Sequence, residues 1–252
     1  MENKFSRGEV MPLVSLKDQL DKERNKQTVT DASQSSQINQ LETRIQSLEY
    51  ILSSNEIKKV FNEIDNLQSG ESASIELSSF MNLTDKAVTI KEGTSVTIDL
   101  NGMSINAQTP KLDALIVNPG ATAVINGNGF VTAANGGNGF TVIAKGKLII
   151  NDGMFVSGYD EQNKANACIY ATGNGQVEIY GGRFETSNGD FVLNVKDSDR
   201  KTASIKAMGG EYVNFDPSNN KSEGPNTNFV PEGYTVEVFT EGENTIYRVV
   251  KA

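Results

Sequence analysis

The chain repeats one nine-residue stretch, Lys147-Leu-Ile-Ile-Asn-Asp-Gly-Met-Phe155, in five versions. The other four versions begin at Thr97, Thr122, Gln176 and Ser204. Each version ends on a large apolar residue that serves as an anchor for alignment, and these are Ile105, Phe130, Phe155, Phe184 and Tyr212. The anchors are 25, 25, 29 and 28 residues apart. Matching apolar positions at a nearly constant distance indicate one structural unit stacked on itself.

Two apolar columns precede the anchor, and their spacing is that of a β-strand. They lie seven and five residues before it, so both point to one face of an extended chain. The farther column contains Ile98, Ala123, Leu148, Val177 and Ile205, and the nearer one contains Leu100, Ile125, Ile150, Ile179 and Ala207. The residues between them are predicted to point outward, and they are Asp99, Val124, Ile149, Glu178 and Lys206.

Each unit also has a second apolar strand upstream, at 114–117, 140–143, 168–171 and 191–195. No helical stripe of apolar residues occurs from Ser72 to Ala252. Short strands, Gly-containing turns and a 25- to 29-residue repeat predict a mainly β fold, a parallel β-solenoid over residues 71–225. The anchors are predicted to form an aromatic stack inside it. An antiparallel β-sandwich is the main competitor, but it does not explain the equal spacing.

A C-terminal β-hairpin is predicted over residues 226–252. Tyr234, Val236 and Val238 alternate along one stretch, and Ile246 and Arg248 alternate after a Gly-containing loop. The last rung of a solenoid is an open β-edge that invites aggregation. The hairpin is therefore predicted to close that end.

The N-terminal third carries a helical pattern instead. Apolar residues recur there at intervals of 3, 4, 3 and 4, which is coiled-coil spacing. We call these five residues the seam: Ile38, Leu41, Ile45, Leu48 and Leu52. A second apolar set, Ile57 to Leu67, continues helically after a phase shift. The pattern predicts a coiled coil over residues 31–70, and the alternative is an amphipathic helix packed on the β-domain.

Charges beside the seam favour a parallel trimer. With Ile45 at heptad position a, Arg44 lies at g and Glu49 at e, so Arg44 can pair with Glu49 of a neighbouring chain. The run from Arg44 to Glu49 resembles the Arg-h-x-x-h-Glu trimerisation motif, in which h is apolar. The predicted trimerisation residues are Ile38, Leu41, Arg44, Ile45, Leu48, Glu49 and Leu52.

Residues 1–30 are interpreted as an attachment arm. Leu13, Leu16 and Leu20 can form a short amphipathic helix, which is too short to be stable alone and is predicted to fold against a partner. The alternative is a disordered, solvated tail. No apolar signal-peptide core follows Met1, and no run of 18 apolar residues occurs, so neither secretion by a leader nor a membrane span is expected.

The composition argues against most chemistry. The net charge is −9 without a basic patch, so no nucleic-acid partner is expected. Histidine is absent, which excludes a Ser-His-Asp triad and a His-ligated metal, and no phosphate-binding glycine loop occurs. The single cysteine, Cys168, lies in an apolar strand and is expected to be buried. No cofactor and no metal are predicted.

Paired acids are the remaining option for catalysis, and their placement is poor. The predicted outward column does not bring two acids onto adjacent rungs, and Asp152 has no acidic counterpart at Gly181. Glu185 and Asp190 flank a turn, and Asp160 and Glu161 lie in an inserted loop. No catalytic residue is assigned, and the chain is not expected to be an enzyme. Acids from different chains could still meet at an interface between them.

The rungs, of the form Ile-x-Ile-x-x-Gly-x-Phe, are followed by Val230-Pro-Glu-Gly-Tyr-Thr-Val and Ile246-Tyr-Arg-Val-Val. Over about 71–252 they resemble pectate-lyase-like right-handed parallel β-helix modules. With an arm and a trimeric coiled coil in front, the order of parts resembles bacteriophage virion fibres, closest to the head (capsid) fibres of crAss-like phages. No acid of this chain matches the positions that pectate lyases use for calcium and catalysis.

The resemblance implies a structural virion protein, assembled in the host cytoplasm and carried on the capsid surface. It would be a homotrimer whose arm docks to the capsid or another virion protein and whose β-helix tip attaches to host surface or glycan. A tailspike-type polysaccharide depolymerase and a bacterial surface adhesin are the two alternatives.

Overall fold

A computed structural model describes residues 13–25, 32–133, 139–158, 167–187, 191–220, 223–224 and 227–252. The chain divides into two compact units, Met1–Asn55 and Glu56–Ala252. Two helices come first among the described residues: α1 (Leu13–Asn25) and α2 (Ala32–Asn66). Helix α2 runs through the boundary, so its first part belongs to the first unit and residues 56–66 belong to the second.

The second unit is a parallel β-solenoid of five complete three-strand rungs and a partial sixth. In chain order the rungs are β1 (Ser72–Glu76), β2 (Met81–Leu83), β3 (Val88–Ile90); β4 (Ser95–Asp99), β5 (Ser104–Ala107), β6 (Leu115–Val117); β7 (Thr122–Asn126), β8 (Phe130–Ala133), β9 (Val142–Ala144); β10 (Lys147–Ile150), β11 (Met154–Ser157), β12 (Ile169–Ala171); β13 (Gln176–Ile179), β14 (Arg183–Thr186), β15 (Leu193–Val195); and β16 (Ser204–Ala207), β17 (Glu211–Val213).

Equivalent strands of successive rungs pair in parallel and form three sheets. Sheet A contains the first strand of each rung, sheet B the second and sheet C the third. After rung 6, β18 (Tyr234–Glu241) and β19 (Asn244–Lys251) form an antiparallel hairpin, and β19 pairs antiparallel with β17. The mainly β fold and the parallel solenoid predicted from the sequence are confirmed.

The interior is filled by the inward-facing residues of all three sheets. Strands alternate between buried and half-buried positions, as the two-residue period requires. Phe155, Phe184 and Tyr212 stack on successive rungs, with ring centroids 5.1 Å apart in both pairs and ring planes 9° and 13° from parallel. The predicted internal aromatic stack is confirmed for these three anchors.

The anchor Phe130 was predicted to point inward, and this is wrong. Val131 occupies the inward column instead, paired with Ile105 on one side and Phe155 on the other. The turn before β8 is the reason: Val131 follows Ile125 by six residues, whereas Phe155 follows Ile150 by five. One extra residue in a turn moves the following side chains to the opposite face of the sheet.

The first version of the repeat is also shifted. Ile98 pairs with Ile125, so the predicted alignment of Leu100 with Ile125 is wrong by two residues. Asp99 accordingly pairs with Asn126, and Thr97 takes the outward position beside Val124. The turn after β4 is longer still than the one after β7. A shift of two preserves the face, and this is why Ile98 and Leu100 are both buried.

One whole rung escaped the sequence alignment. Strand β1 pairs in register with β4, with Ile75 beside Ile98. Its segment, Ser-Ala-Ser-Ile-Glu, has a single large apolar residue and therefore gives a weak alternating pattern.

The helical part of the second unit, residues 56–66, packs on the solenoid core. Val60 and Ile64 are buried in the same cluster as Ile75. The buried carboxylate of Glu56 accepts hydrogen bonds from the amide (3.1 Å) and hydroxyl (2.6 Å) of Ser78 and pairs with Lys59 at 3.2 Å. This segment therefore contributes its apolar face to the solenoid core, and the predicted trimeric coiled coil over residues 31–70 stays a prediction.

Candidate functional site

A groove of about 740 Å³ runs along the corner between sheets A and B, from rung 3 to the C-terminal hairpin. It is formed by the turns that join the first and second strands of successive rungs. Its lining includes Phe130, Asp152, Tyr180, Arg183, Glu211 and Arg248. We call this surface the groove.

Backbone forms the floor of the groove because glycines occupy the turns. At Gly182 the φ angle is +97°, and a Cβ placed there would lie 2.6 Å from the carbonyl oxygen of Gly153 on the rung before. No side chain fits between these rungs. The floor is therefore flat and presents peptide groups where other residues would project.

The outward column of sheet B forms one wall. Register places Phe130 beside Met154, Met154 beside Arg183, and Arg183 beside Glu211 on four successive rungs. Phe130 is 46% exposed, and Tyr180, in the turn of rung 5, is 49% exposed. Two aromatic rings two rungs apart thus face solvent along the groove, roughly 10 Å from each other along the axis at ordinary strand spacing.

An ion-pair network forms the end of the groove nearest the hairpin. Arg183 donates to Glu211 at 3.2 Å and to Glu241 at 2.6 Å, and Arg248 donates to Glu211 at 2.6 and 3.0 Å. Burial alone would lower the pKa of Arg183, but hydrogen bonds with and charges of Glu241 and Glu211 raise it above its ordinary value. The two arginines and two glutamates neutralise each other, so this wall is polar but carries little net charge.

The acids of the groove are engaged in structure. Both carboxylate oxygens of Glu211 accept hydrogen bonds from arginines, and Asp152 accepts one from the Gly153 amide at 2.8 Å. Outside the groove wall, Glu178 lies 3.5 Å from the Lys147 ammonium. Among the described residues no group of three acids or thiols has the geometry of a metal site. Asp160, Glu161 and Asp190 lie outside the described residues.

Cys168 is buried, as expected from the sequence. Its thiol lies 2.8 Å from the carbonyl oxygen of Glu185, and burial raises its pKa to about 12. A thiol with so high a pKa is almost wholly protonated at neutral pH and is a poor nucleophile.

A buried acid protects the edge of sheet C. Strand β15 is the last strand of that sheet, and the Val195 amide donates to the Glu223 carboxylate at 3.3 Å where a further rung would otherwise pair. The side chain of Glu223 is only 2% exposed and pairs with Arg200 at 3.1 Å. Burial raises the pKa of Glu223 to about 7, although the Val195 amide and Arg200 act in the opposite direction.

The predicted docking and trimerisation residues meet each other in the first unit. Leu16 and Leu20 of α1 are buried against Ile38 and Ile45 of α2, and Leu41 and Leu48 are partly buried in the same cluster. Leu13 begins α1, but its side chain lies outside the described residues, as do residues 1–12 and 26–31 of the predicted arm and coiled coil.

The predicted charge pair is also placed differently from the rest of the motif. Glu49 pairs with Lys17 of α1 at 2.8 Å, and Arg44 is exposed. Leu52, at the end of the seam, is 39% exposed. The structure thus brings Leu16 and Leu20 onto the seam residues but leaves Arg44 and Leu52 outside that contact.

Sequence reasoning missed the groove. The sequence patterns do not point to Tyr180, Arg183 or Glu211, they mark Arg248 only as a hairpin residue, and they assign Phe130 to the interior. The outward residues of sheet B can be identified only when the length of each turn is known. Adding or removing one turn residue reverses which side chains of the next strand point outward.

No protein family, curated protein or solved structure gives a significant match to this chain. None of the described helices combines the length and the apolar character that a membrane span requires.

Proposed function

We propose that this chain is a structural virion protein, a homotrimeric phage fibre of the head-fibre kind, and that its solenoid binds host-surface glycan. The N-terminal arm docks on the capsid, the seam joins three copies, and a right-handed β-helix forms the tip. The protein is assembled in the host cytoplasm and carried on the capsid surface. The observation that carries the proposal is the groove, in which two exposed rings stand beside a neutral polar wall.

The chemistry of the groove suits a sugar. Sugar rings have apolar C–H faces and hydroxyl edges, and the flat faces of Phe130 and Tyr180 can pack on the former. The planar guanidinium groups of Arg183 and Arg248 and the carboxylate of Glu211 can exchange hydrogen bonds with hydroxyl groups. A neutral wall favours an uncharged or weakly charged glycan over a polyanion.

The shape of the groove suits a chain of sugars. It extends over the corners of rungs 3 to 6, roughly 14 Å along the axis at ordinary strand spacing. It is open along its length, whereas sites for small molecules usually enclose most of the ligand. An extended oligosaccharide can therefore lie along it.

Closed ends fit a terminal tip. Residues 56–66 pack against the first rung, and β19 pairs with the last strand of sheet B in the antiparallel direction. A solenoid with a covered first rung and a blocked last rung does not stack end to end with other copies. Such a domain presents its lateral surface for binding.

The binding test uses a panel of bacterial surface polysaccharides and the full-length protein. We expect Tyr180→Ala and Phe130→Ala each to weaken binding by about tenfold, because each removes an aromatic stacking face. Tyr50→Ala is the matched control, since Tyr50 is 75% exposed on α2, outside the groove. Equal binding by all three variants would contradict the groove as the glycan site.

Two further measurements separate the proposed role from its alternatives. Antibody labelling of purified virions is expected to mark the capsid, and labelling confined to the tail would contradict a head fibre. The same polysaccharides are expected to release no new reducing ends after incubation. Their release would point to a depolymerase instead.

A further inference from the structure

The seam of α2 is the predicted trimer interface, and in the single chain α1 covers it. Ile38 and Ile45 occupy heptad position a, where a parallel trimer would place them against the same residues of two neighbouring chains. In the single chain, both side chains are buried under Leu16 and Leu20 of α1. A residue packed under α1 cannot also pack at a threefold axis, so the two arrangements exclude each other.

The charges compete in the same way. The trimer motif requires Glu49 for the Arg44 of a neighbouring chain. In the single chain Glu49 pairs with Lys17 of α1, and Arg44 makes no ion pair with any described residue. Helix α1 thus holds both the apolar and the acidic half of the predicted interface.

We propose that α1 is an intramolecular guard of the seam, and that the seam binds second and third copies of this chain only after α1 has left it. This inference rests on the proposed trimeric fibre and names the control of its assembly. The partner surface is the seam itself, from Ile38 to Leu52.

The end of the seam provides the starting contact. Leu52 also falls at heptad position a, yet it is 39% exposed, and Ile51 beside it is 51% exposed. In the described residues, the apolar cluster that holds α1 contains only residues of α1 and α2, so α1 can leave the seam without disturbing the solenoid core. Leu52 can make a first, weak contact with a second copy, but the seam as a whole binds only once α1 has uncovered Ile38 and Ile45.

Guarding couples docking to trimerisation. The leucines predicted to dock on the capsid, Leu16 and Leu20, are the ones that cover the seam. A virion partner that binds the apolar face of α1 therefore frees the seam, and by reciprocity a trimer presents three free arms to the virion. Chains remain apart until a docking surface is present, which restricts fibre assembly to the particle.

The test measures self-association of full-length protein by sedimentation equilibrium. Leu16→Asp with Leu20→Asp expels α1 but leaves every seam residue in place. We expect this variant to trimerise at least about tenfold more tightly than wild type, because three copies no longer have to release α1. Adding Leu52→Asp to it is expected to restore the monomer, which identifies the seam as the interface.

A milder variant has a matched control on the same helix. Lys17→Glu places a like charge against Glu49 and is expected to strengthen trimerisation by a few-fold. Lys22→Glu makes the same charge change at an exposed α1 residue that has no ion pair with the described residues, and it is expected to behave as wild type.

The outcomes separate the guard from the trimer. If the double leucine variant and wild type trimerise equally well, or the variant trimerises less, α1 is no guard although the trimer stands. If neither protein trimerises at any concentration, the proposed trimeric fibre and the proposed guarding of the seam by α1 are both wrong. Tighter trimerisation of the double variant and of Lys17→Glu, but not of Lys22→Glu, supports the guard.

Discussion

Aromatic residues line both the inside and the outside of one corner of this solenoid, and the inner and outer sets differ in burial and in ring stacking. Phe155, Phe184 and Tyr212 are fully buried and stack at 5.1 Å. Phe130 and Tyr180 are about half exposed on the groove. The inner rings pack between successive rungs, whereas about half of each outer residue is exposed to solvent.

The difference between the two sets is set by turn length. Phe130 and Phe155 end equivalent versions of the repeat, yet one faces solvent and the other the core. One additional residue between Ile125 and β8 is enough to exchange their faces. In a solenoid, an insertion in a turn can therefore convert a core residue into a surface residue without disturbing the stack.

The largest expected effect is the loss of the central inner ring. Phe184→Ala removes the member of the stack that contacts both Phe155 and Tyr212. We expect the free energy of unfolding to fall by about 3–5 kcal/mol, from lost burial and the cavity left behind. Urea unfolding followed by circular dichroism measures it. The outer Tyr180→Ala is the control and is expected to change stability by no more than about 0.5 kcal/mol. Similar losses for both variants would erase the distinction.

The stability of the solenoid is expected to depend on pH through the buried carboxyl group of Glu223. Burial raises the pKa of folded Glu223 to about 7, from an ordinary value of 4.5. Between these values the folded state holds its proton more tightly than the unfolded state does. The free energy of unfolding should therefore fall as pH rises from about 4.5 to about 7, by on the order of 3 kcal/mol, and should not fall further above that.

Glu223→Gln tests this assignment. The amide stays neutral at every pH, so this contribution to the pH dependence should disappear, and the variant should be more stable than wild type above pH 7. Thermal melts at a series of pH values give the comparison. A variant with the wild-type profile would show that another group is responsible.

Substitution of a glycine in the floor of the groove is expected to lower the free energy of unfolding by an intermediate amount. Gly182→Ala strains a residue with φ +97° and brings a Cβ to 2.6 Å from the Gly153 carbonyl oxygen, so we expect a loss of about 1–3 kcal/mol. Gly173→Ala is the matched control, because its φ is +63° and nothing lies within 4 Å of the added atom. Urea unfolding should therefore give a larger loss for Gly182, and equal losses would mean that φ alone matters.

The smallest expected change in the free energy of unfolding comes from removing Phe130, the ring that the repeat assigns to the interior. Phe130→Ser removes a half-exposed side chain and should change the free energy of unfolding by no more than about 0.5 kcal/mol. Val131→Ser in the same strand changes a fully buried residue and should destabilise by several times as much. The reverse order in urea unfolding would mean that Phe130, as the repeat alone suggests, faces inward.

Much of the fold could be predicted, and the candidate site could not. The strands predicted upstream of each repeat, at 114–117, 140–143, 168–171 and 191–195, match strands of sheet C. They could be predicted because the alternation of side chains within a strand is a local pattern. The groove depends on contacts between distant residues: Arg183 and Glu241 are 58 positions apart, and Arg248 and Glu211 are 37 apart. No local pattern marks such pairs.

In the helical unit, too, the sequence identifies residues that must be buried but not the segment that buries them. The heptad pattern identifies Ile38 and Ile45 as residues that must be covered, since apolar side chains at this spacing form one stripe. It does not say what covers them. In the single chain α1 does so, although the sequence assigned its leucines to a different partner.

By itself, the sequence determined the repeat, the parallel solenoid and the apolar stripe of α2, because each arises from the period of side chains along a single strand or helix. Tertiary structure alone decided the face of Phe130, the charge network of the groove, the buried acid at the edge of sheet C and the occupant of the seam. These features depend on which segments meet in space, and turn length and the packing of α1 on α2 set that.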